Sequence, residues 1–166
     1  DVDGVLTDGG IYAAPDGSEL FKPFFARDGL AVSLARKVGL TTAIITGRAS
    51  SIVANRAKEL HIDLVYQGCL DKRASYADIR KKTGFTDEEI AYVGDDIVDL
   101  PIMRQVGLPC AVRDAVPEVK EIAQIIAAQP GGHGAVREIY EIILKAQGRW
   151  DSVLRAFQND MGSITQ

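Results

Sequence analysis

From residue 28 onward, apolar stretches with helical spacing alternate with short runs rich in β-branched residues. That rhythm restricts the possible folds more than any other feature. "DGLAVSLARKVG" places Leu30, Ala31, Leu34, Ala35 and Val38 on one stripe, with Gly39 as a stop. "LTTAIIT" is then a buried strand, Ser50 or Ser51 caps the helix "SIVANRAKEL", and "DLVYQG" is the next strand. "DKRASYADIRKKTG" is a helix ending at glycine, Thr86 and Glu89 make a capping-box pattern, and "IAYVG" is a strand. "IVDLPIMRQVG" reads as a helix and "LPCAV" as a strand. Pro117 starts a helix over "PEVKEIA", "AQIIAA" is a last short strand, and "AVREIYEIILKAQG" is a long final helix. Such alternation predicts an α/β fold: a Rossmann-like parallel sheet covered by helices on both faces.

One segment breaks the rhythm. "GGIYAAPDGSELFKPFF" has two apolar arms around Pro15-Asp16-Gly17, a turn sequence, and predicts a β-hairpin inserted at about residues 9–25. A two-stranded hairpin is marginal in water by itself, so its apolar side chains are expected to dock on another subunit. The tail from about residue 149 contains "RWDSVLRAFQ", amphipathic enough to pack against a partner, and ends in "NDMGSITQ", expected to be mobile. The whole of 1–166 is read as one domain.

The chain's 166 residues, 46% of them hydrophobic and 25% charged, suit a globular core and argue against disorder. A net charge of −4 provides no footprint for nucleic acid or an anionic membrane. No apolar run is long enough to span a bilayer, and no secretory signal opens the sequence. Cys69 and Cys110 stand far apart, as reduced packing thiols would. A cytoplasmic protein is the expectation. The sequence opens directly on "DVDG", so a buried strand leading into Asp1 would lie in residues preceding it.

"VGDDIVDL" sets Asp95, Asp96 and Asp99 within five positions behind a strand. Like charges about 4 Å apart repel by roughly 4 kcal/mol at an effective dielectric near 20, so either the side chains diverge into water or a cation sits between some of them. In an open parallel sheet, ligands bind beyond the carboxyl ends of the strands. Asp1, Asp3, Thr46, Lys72 and Asp95 all fall at that edge. Their chemistry is complementary. A carboxylate attacks phosphorus to form an aspartyl-phosphate, and a second acid protonates the leaving alcohol and later activates water. Hard oxygens hold Mg²⁺, while a threonine and a lysine steady the phosphoryl oxygens.

"DVDGVLTD", "IITGR", "DKR" and "VGDDIVDL" together resemble the four motifs of the haloacid dehalogenase superfamily of phosphohydrolases. The resemblance implies Asp1 as nucleophile and Asp3 as general acid/base. It implies Mg²⁺ on the Asp1 carboxylate, the Asp3 backbone carbonyl and Asp95, with Thr46 and Lys72 on the phosphoryl group and Asp96 and Asp99 as supporting groups. "DGGIY", "ARDG", "LVYQG" and "GAVREIYEIILKAQG" are further similar to the short-capped branch that hydrolyses 3-deoxy-D-manno-octulosonate 8-phosphate. That branch implies a homotetramer built through the hairpin and a role in lipopolysaccharide precursor supply. It also implies substrate contacts at Asp3, Phe25, Ala26, Arg27, Asp28, Gly29, Gly47, Arg48, Arg56 and Lys72.

Two departures bear on the substrate. Ser33 stands where that branch often carries arginine, and one extra residue separates Gly17 from Arg27. A nine-carbon keto-deoxy acid 9-phosphate is therefore an alternative substrate, although enzymes of that kind characteristically replace the arginine of "TGR" with an acid. A phospho-receiver domain uses similar groups, but its lysine follows the phosphoacceptor and threonine on the last strand. Here Lys72 precedes the "GDD" cluster. A non-catalytic regulatory domain of the same fold is a further alternative, against which the intact acids argue. "GGHG" before the last long helix is read as structural or as a subunit contact.

Overall fold

The computed structural model describes residues 1–159. The interrupting segment forms an antiparallel hairpin, β1 (Tyr12–Ala13) and β2 (Glu19–Phe21), in which Tyr12 stacks on Phe21 with ring centroids 4.3 Å apart. The hairpin leads into α1 (Ala26–Lys37), whose buried side includes Ala31, Val32, Leu34 and Ala35. Then follow β3 (Ala43–Ile45), α2 (Ser51–Glu59), β4 (Leu64–Tyr66) and α3 (Arg73–Thr83). Ser50 caps α2, its hydroxyl accepting the Val53 amide at 3.2 Å. A short 3₁₀ turn, Asp87–Glu89, carries the expected Thr86/Glu89 capping box.

β5 (Ala91–Gly94), α4 (Leu100–Met103), β6 (Leu108–Ala111), α5 (Pro117–Ile122), β7 (Ile125–Ile126), α6 (Ala135–Ala146) and α7 (Trp150–Asn159) complete the chain. The helix expected over "IVDLPIMRQVG" is shorter than its sequence suggests. Ile97–Asp99 is a separate 3₁₀ turn, and α4 ends at Met103. The Asp99 side chain bends back onto the amides of residues 95 and 96. At the other end Gly107 is drawn against the Asp87–Glu88 backbone, its amide donating to the Asp87 carbonyl at 2.6 Å. Both ends are held by tertiary contacts, which leaves little room for a helix between them.

Pairing is parallel throughout β3 to β7. β3 pairs with β4, Ala43 opposite Leu64, and a second group runs in the order β5-β6-β7. Between β3 and β5 lies a cavity of about 510 Å³, lined by Ile44, Ile45, Tyr92, Val93 and Ile139 and reaching Asp1. The main core joins strands and helices through side chains such as Val2, Ile102, Met103 and Val119. Fully burying each contributes roughly 2 kcal/mol.

α1 packs on α6, and α6 on α7. A second, smaller core of Leu34, Leu144 and Val153, with Trp150 beside it, seals that contact. The start of the tail, expected to pack against a partner, thus packs on its own chain, because Val153 is already covered by α1 and α6. Residues 160–166, which hold most of "NDMGSITQ", lie outside the described residues.

Candidate active site

Strand ends bring the expected groups together. The Asp1 nitrogen donates to the Val93 carbonyl at 3.1 Å, which seats Asp1 beside the end of β5. The amides of Val5, Leu6 and Thr7 all converge on the Val2 carbonyl, so the chain turns tightly just past Asp3. Thr46 follows β3 and is buried, Asp95 follows β5, and Lys72 immediately precedes α3.

Lys72 is the hub. Its side chain is 1% exposed, and its ammonium lies 2.9 Å from Asp1 Oδ2 and 2.7 Å from Asp99 Oδ1. It also donates to the Tyr92 hydroxyl at 3.2 Å. Asp99 is wholly buried and fully engaged. Oδ1 accepts from Lys72 and from Tyr92 (2.6 Å), and Oδ2 accepts the amides of Asp95 (2.9 Å) and Asp96 (3.3 Å). Four accepted bonds exhaust a carboxylate's lone-pair sites. Asp99 is therefore a brace for Lys72 and the Asp95–Asp96 backbone. Asp96, exposed, accepts the Ile97 amide at 2.7 Å and caps the 3₁₀ turn.

Among the described residues, Asp1, Asp95 and Asp99 each place a carboxylate oxygen within 4.8 Å of the others. Burial, and then the charge of Asp99, push Asp95 up to about 6. An acid raised by desolvation and a like charge is one that a divalent cation would relieve. Asp1 and Asp95 offer hard oxygens of the kind Mg²⁺ prefers, so the residues fit that ion. Gly4 makes the approach possible: at φ +83° a Cβ there would sit 2.0 Å from Asp95 Oδ2.

Asp3 has a partner that sequence reasoning missed. Lys22, just past β2, forms an ion pair with Asp3 and a second, at 3.3 Å, with Glu19. Glu19 also accepts the Ser50 hydroxyl. The Ser50 hydrogen bond, then Lys22 and the charge of Arg48, hold Glu19 below its usual range. The available signal was a lone cation within the apolar "LFKPFF".

The expected sugar-acid contacts divide. Arg27 and Arg48 are exposed, Arg27 lying over the Phe25 ring at 6.0 Å, and Gly47 is half-buried next to Leu70. Arg56 is half-buried, paired with Glu59 at 2.8 Å, and lies over Phe24. Its Nε has no hydrogen-bond partner among the described residues. Gly29 leaves it room, since a Cβ there would lie 2.2 Å from the guanidinium.

Ala26 to Gly29 form the first turn of α1. Asp28, among the expected substrate contacts, sits against the N-terminus of α6. It is buried, Oδ2 accepting the Gly134 amide at 3.1 Å and Oδ1 the Arg137 amide at 2.8 Å. Capping α6 occupies its carboxylate, and burial raises its pKa.

The "GGHG" loop packs backbone to backbone against the turn after Asp1. The Gly132 amide donates to the Val5 carbonyl at 2.9 Å, and the Gly131 amide to Asp114 Oδ1 at 2.9 Å. A Cβ on Gly131 would lie 1.8 Å from the Gly4 carbonyl oxygen. His133 Nδ1 is 2.9 Å from the Gly131 carbonyl oxygen, a contact internal to the loop.

Comparison with known proteins agrees with this chemistry. The haloacid dehalogenase-like hydrolase family matches residues 45–139. The chain is 44% identical over 151 residues to 3-deoxy-D-manno-octulosonate 8-phosphate phosphatase KdsC of Escherichia coli K12, covering 91% of this chain and 80% of that protein. The Moraxella catarrhalis 3-deoxy-D-manno-octulosonate 8-phosphate phosphatase, solved with a magnesium ion, a phosphate ion and a KDO molecule, superposes with a TM-score of 0.90. Identity there is 40%, over 95% of this chain and 90% of that one. A cobalt-bound phosphatase of the same description from Haemophilus influenzae gives a TM-score of 0.86 at 41% identity, covering 89% and 86%.

Proposed function

The chain belongs to the haloacid dehalogenase-like hydrolases, and from that premise we propose that it is a Mg²⁺-dependent phosphatase of 3-deoxy-D-manno-octulosonate 8-phosphate. The observation that carries the reading is Asp1 held by Lys72 at 2.9 Å, with an Asp95 oxygen inside the same 4.8 Å cluster. Arg48, retained in "TGR", favours the eight-carbon acid over the nine-carbon one.

In this reading an Asp1 oxygen attacks phosphorus and the ester P–O bond breaks, leaving an aspartyl-phosphate. Asp3 gives its proton to the departing sugar oxygen. Asp3 then takes a proton from water, the water oxygen bonds to phosphorus, and the Asp1–phosphorus bond breaks to free phosphate. Lys72 and Thr46 steady the phosphoryl oxygens, and the Lys72 ammonium lies against the attacking carboxylate of Asp1. Asp1, Asp95 and the Asp3 carbonyl would hold Mg²⁺, which supplies charge neutralisation between the carboxylates and a phosphate dianion. Asp99 acts through Lys72, and Asp96 through the turn it caps. Arg48, Arg56 and Arg27 supply cations for the sugar carboxylate, with Phe25, Ala26, Gly29 and Gly47 shaping the cleft.

Residues 1–166 are taken as one catalytic unit. The hairpin exposes the apolar Ile11, Leu20 and Phe21, which supports assembly of a homotetramer through it. Among the described residues no helix is long and apolar enough to cross a membrane, in keeping with a cytoplasmic enzyme that feeds lipopolysaccharide synthesis. The deciding experiment is phosphate release from the eight- and nine-carbon acid phosphates with Mg²⁺, using wild type and Asp1→Asn. We expect turnover of the eight-carbon substrate and none above background for a folded Asp1→Asn; substantial turnover by that variant would remove Asp1 as nucleophile.

A further inference from the structure

The second arm of the hairpin carries one cation among apolar side chains. Leu20 is 60% exposed and Phe21 52%, yet the Lys22 side chain between Phe21 and Pro23 is only 2% exposed. A lysine ammonium is strongly hydrated and ordinarily reaches for water. It gives up that hydration only where fixed anions replace it. Two do so here, Asp3 Oδ1 and Glu19 Oε1. Glu19 in turn accepts the Ser50 hydroxyl, and the Ser50 amide donates to Gln67 Oε1 at 2.8 Å. A continuous line of polar contacts thus runs from the acid Asp3 through the hairpin to the start of α2, two residues past Arg48.

We propose that Lys22 is a positioning residue of the phosphatase reaction: its ammonium fixes one oxygen of Asp3 so that the other faces the leaving-group oxygen. This rests on the reading of Asp3 as proton donor. The proton passes from the outward oxygen of Asp3 to the sugar oxygen as the ester P–O bond breaks, and it is replaced from water in the second step. Glu19 supplies the buried ammonium with an anionic partner while Asp3 is neutral, and it holds Lys22 from the side away from the substrate. An Asp3 carboxyl without Lys22 rotates freely and delivers its proton less often, whereas phosphoryl contacts at Lys72 and Thr46 are untouched. The hairpin then belongs to the catalytic apparatus as well as to assembly.

The test measures kcat/KM, which reports aspartyl-phosphate formation, for substituted phenyl phosphates of graded leaving-group basicity and for the sugar-acid phosphate. Proteins are wild type, Lys22→Met, Lys22→Arg and Glu19→Gln, each with its oligomeric state and melting temperature recorded. Lys22→Met is expected to lose about 10- to 100-fold on the most basic leaving groups and less than about threefold on 4-nitrophenyl phosphate, whose phenolate departs without a proton. Lys22→Arg recovers part of that loss, and Glu19→Gln shows the same gradient more weakly. A loss independent of the leaving group, or none, overturns the proposal. If Lys22→Met does not fold, the gradient is read on Glu19→Gln, and its absence there is equally fatal. The parent reading is judged separately: an inactive wild type or an active Asp1→Asn defeats it, while a graded-free Lys22→Met in an otherwise active enzyme defeats only the role of Lys22.

Discussion

The Lys72 ammonium lies 2.7 Å from the Asp99 carboxylate, and neither side chain has more than 1% of its surface exposed. The pair ties the loop after β4 to the loop after β5, and Asp1 joins it from the start of the chain. One cation therefore joins its own segment to acids contributed by two others.

Removing that cation exposes its structural weight. Lys72→Met leaves Asp99 and Asp1 buried with no ammonium between them, and breaking a buried pair costs about 3 kcal/mol or more. Urea denaturation of the metal-free variant is expected to show that loss. Turnover falls about 1,000-fold, since phosphoryl charge loses a fixed donor. An unchanged unfolding midpoint would contradict the bracing role.

Metal affinity should follow the protonation of Asp95, which is raised to about 6 by burial and by Asp99. The sign is set by competition: below that value a proton occupies the carboxylate that the ion needs. Apparent Mg²⁺ affinity by calorimetry is expected to fall about tenfold between about pH 7 and about pH 5. In the metal-free protein the raised value means a penalty present above about 6 and relieved as pH falls toward the unfolded value, so acidification narrows the gap between metal-free and loaded stability. A chelator stops phosphate release. Affinity flat across that range would show that Asp95 is not competing for a proton.

Gly131 presses on the turn that carries the acids. A methyl group there would stand 1.8 Å from the Gly4 carbonyl oxygen, a backbone atom with no rotamer by which to yield. Gly131→Ala is expected to destabilise by about 3 kcal/mol, as overpacking does, and to lower kcat by displacing Asp1 and Asp3. Thermal melts and single-turnover kinetics check both; a stable variant with full kcat would mean that the loop yields freely.

Arg48 should read the sugar acid and not the phosphate. Losing a charge-assisted contact of about 2 kcal/mol lowers kcat/KM for the sugar-acid phosphate about 30-fold in Arg48→Ala. Phenyl phosphates, which lack the carboxylate, are hydrolysed at close to the wild-type rate. Equal losses on both substrates would end that assignment.

Much of this was legible from local pattern. The Ser50 cap, the Thr86/Glu89 box, Pro117 opening α5 and the strand positions before Thr46 and Asp95 all follow from short-range rules. Other features were not. Nothing local reveals that the Asp28 carboxylate, beside Arg27, accepts the amide of a residue 106 positions further on. The amphipathic stretch "RWDSVLRAFQ" fits a partner surface by its pattern, and nothing local reveals that α1 and α6 already cover its Val153. The helix over "IVDLPIMRQVG" was overextended because its limits are set by Asp99 and Gly107 contacts rather than by its own propensity.

Alternating apolar periods, caps and strand-end acids thus dictated which elements form and which carboxylates gather at one edge, because those choices depend on neighbours a few residues away. Which charges actually meet was decided only in three dimensions. Lys22 finds Asp3 across 19 residues and Lys72 finds Asp99 across 27. A buried ammonium settles on whichever anion the packed chain brings within reach, since desolvation penalises every alternative.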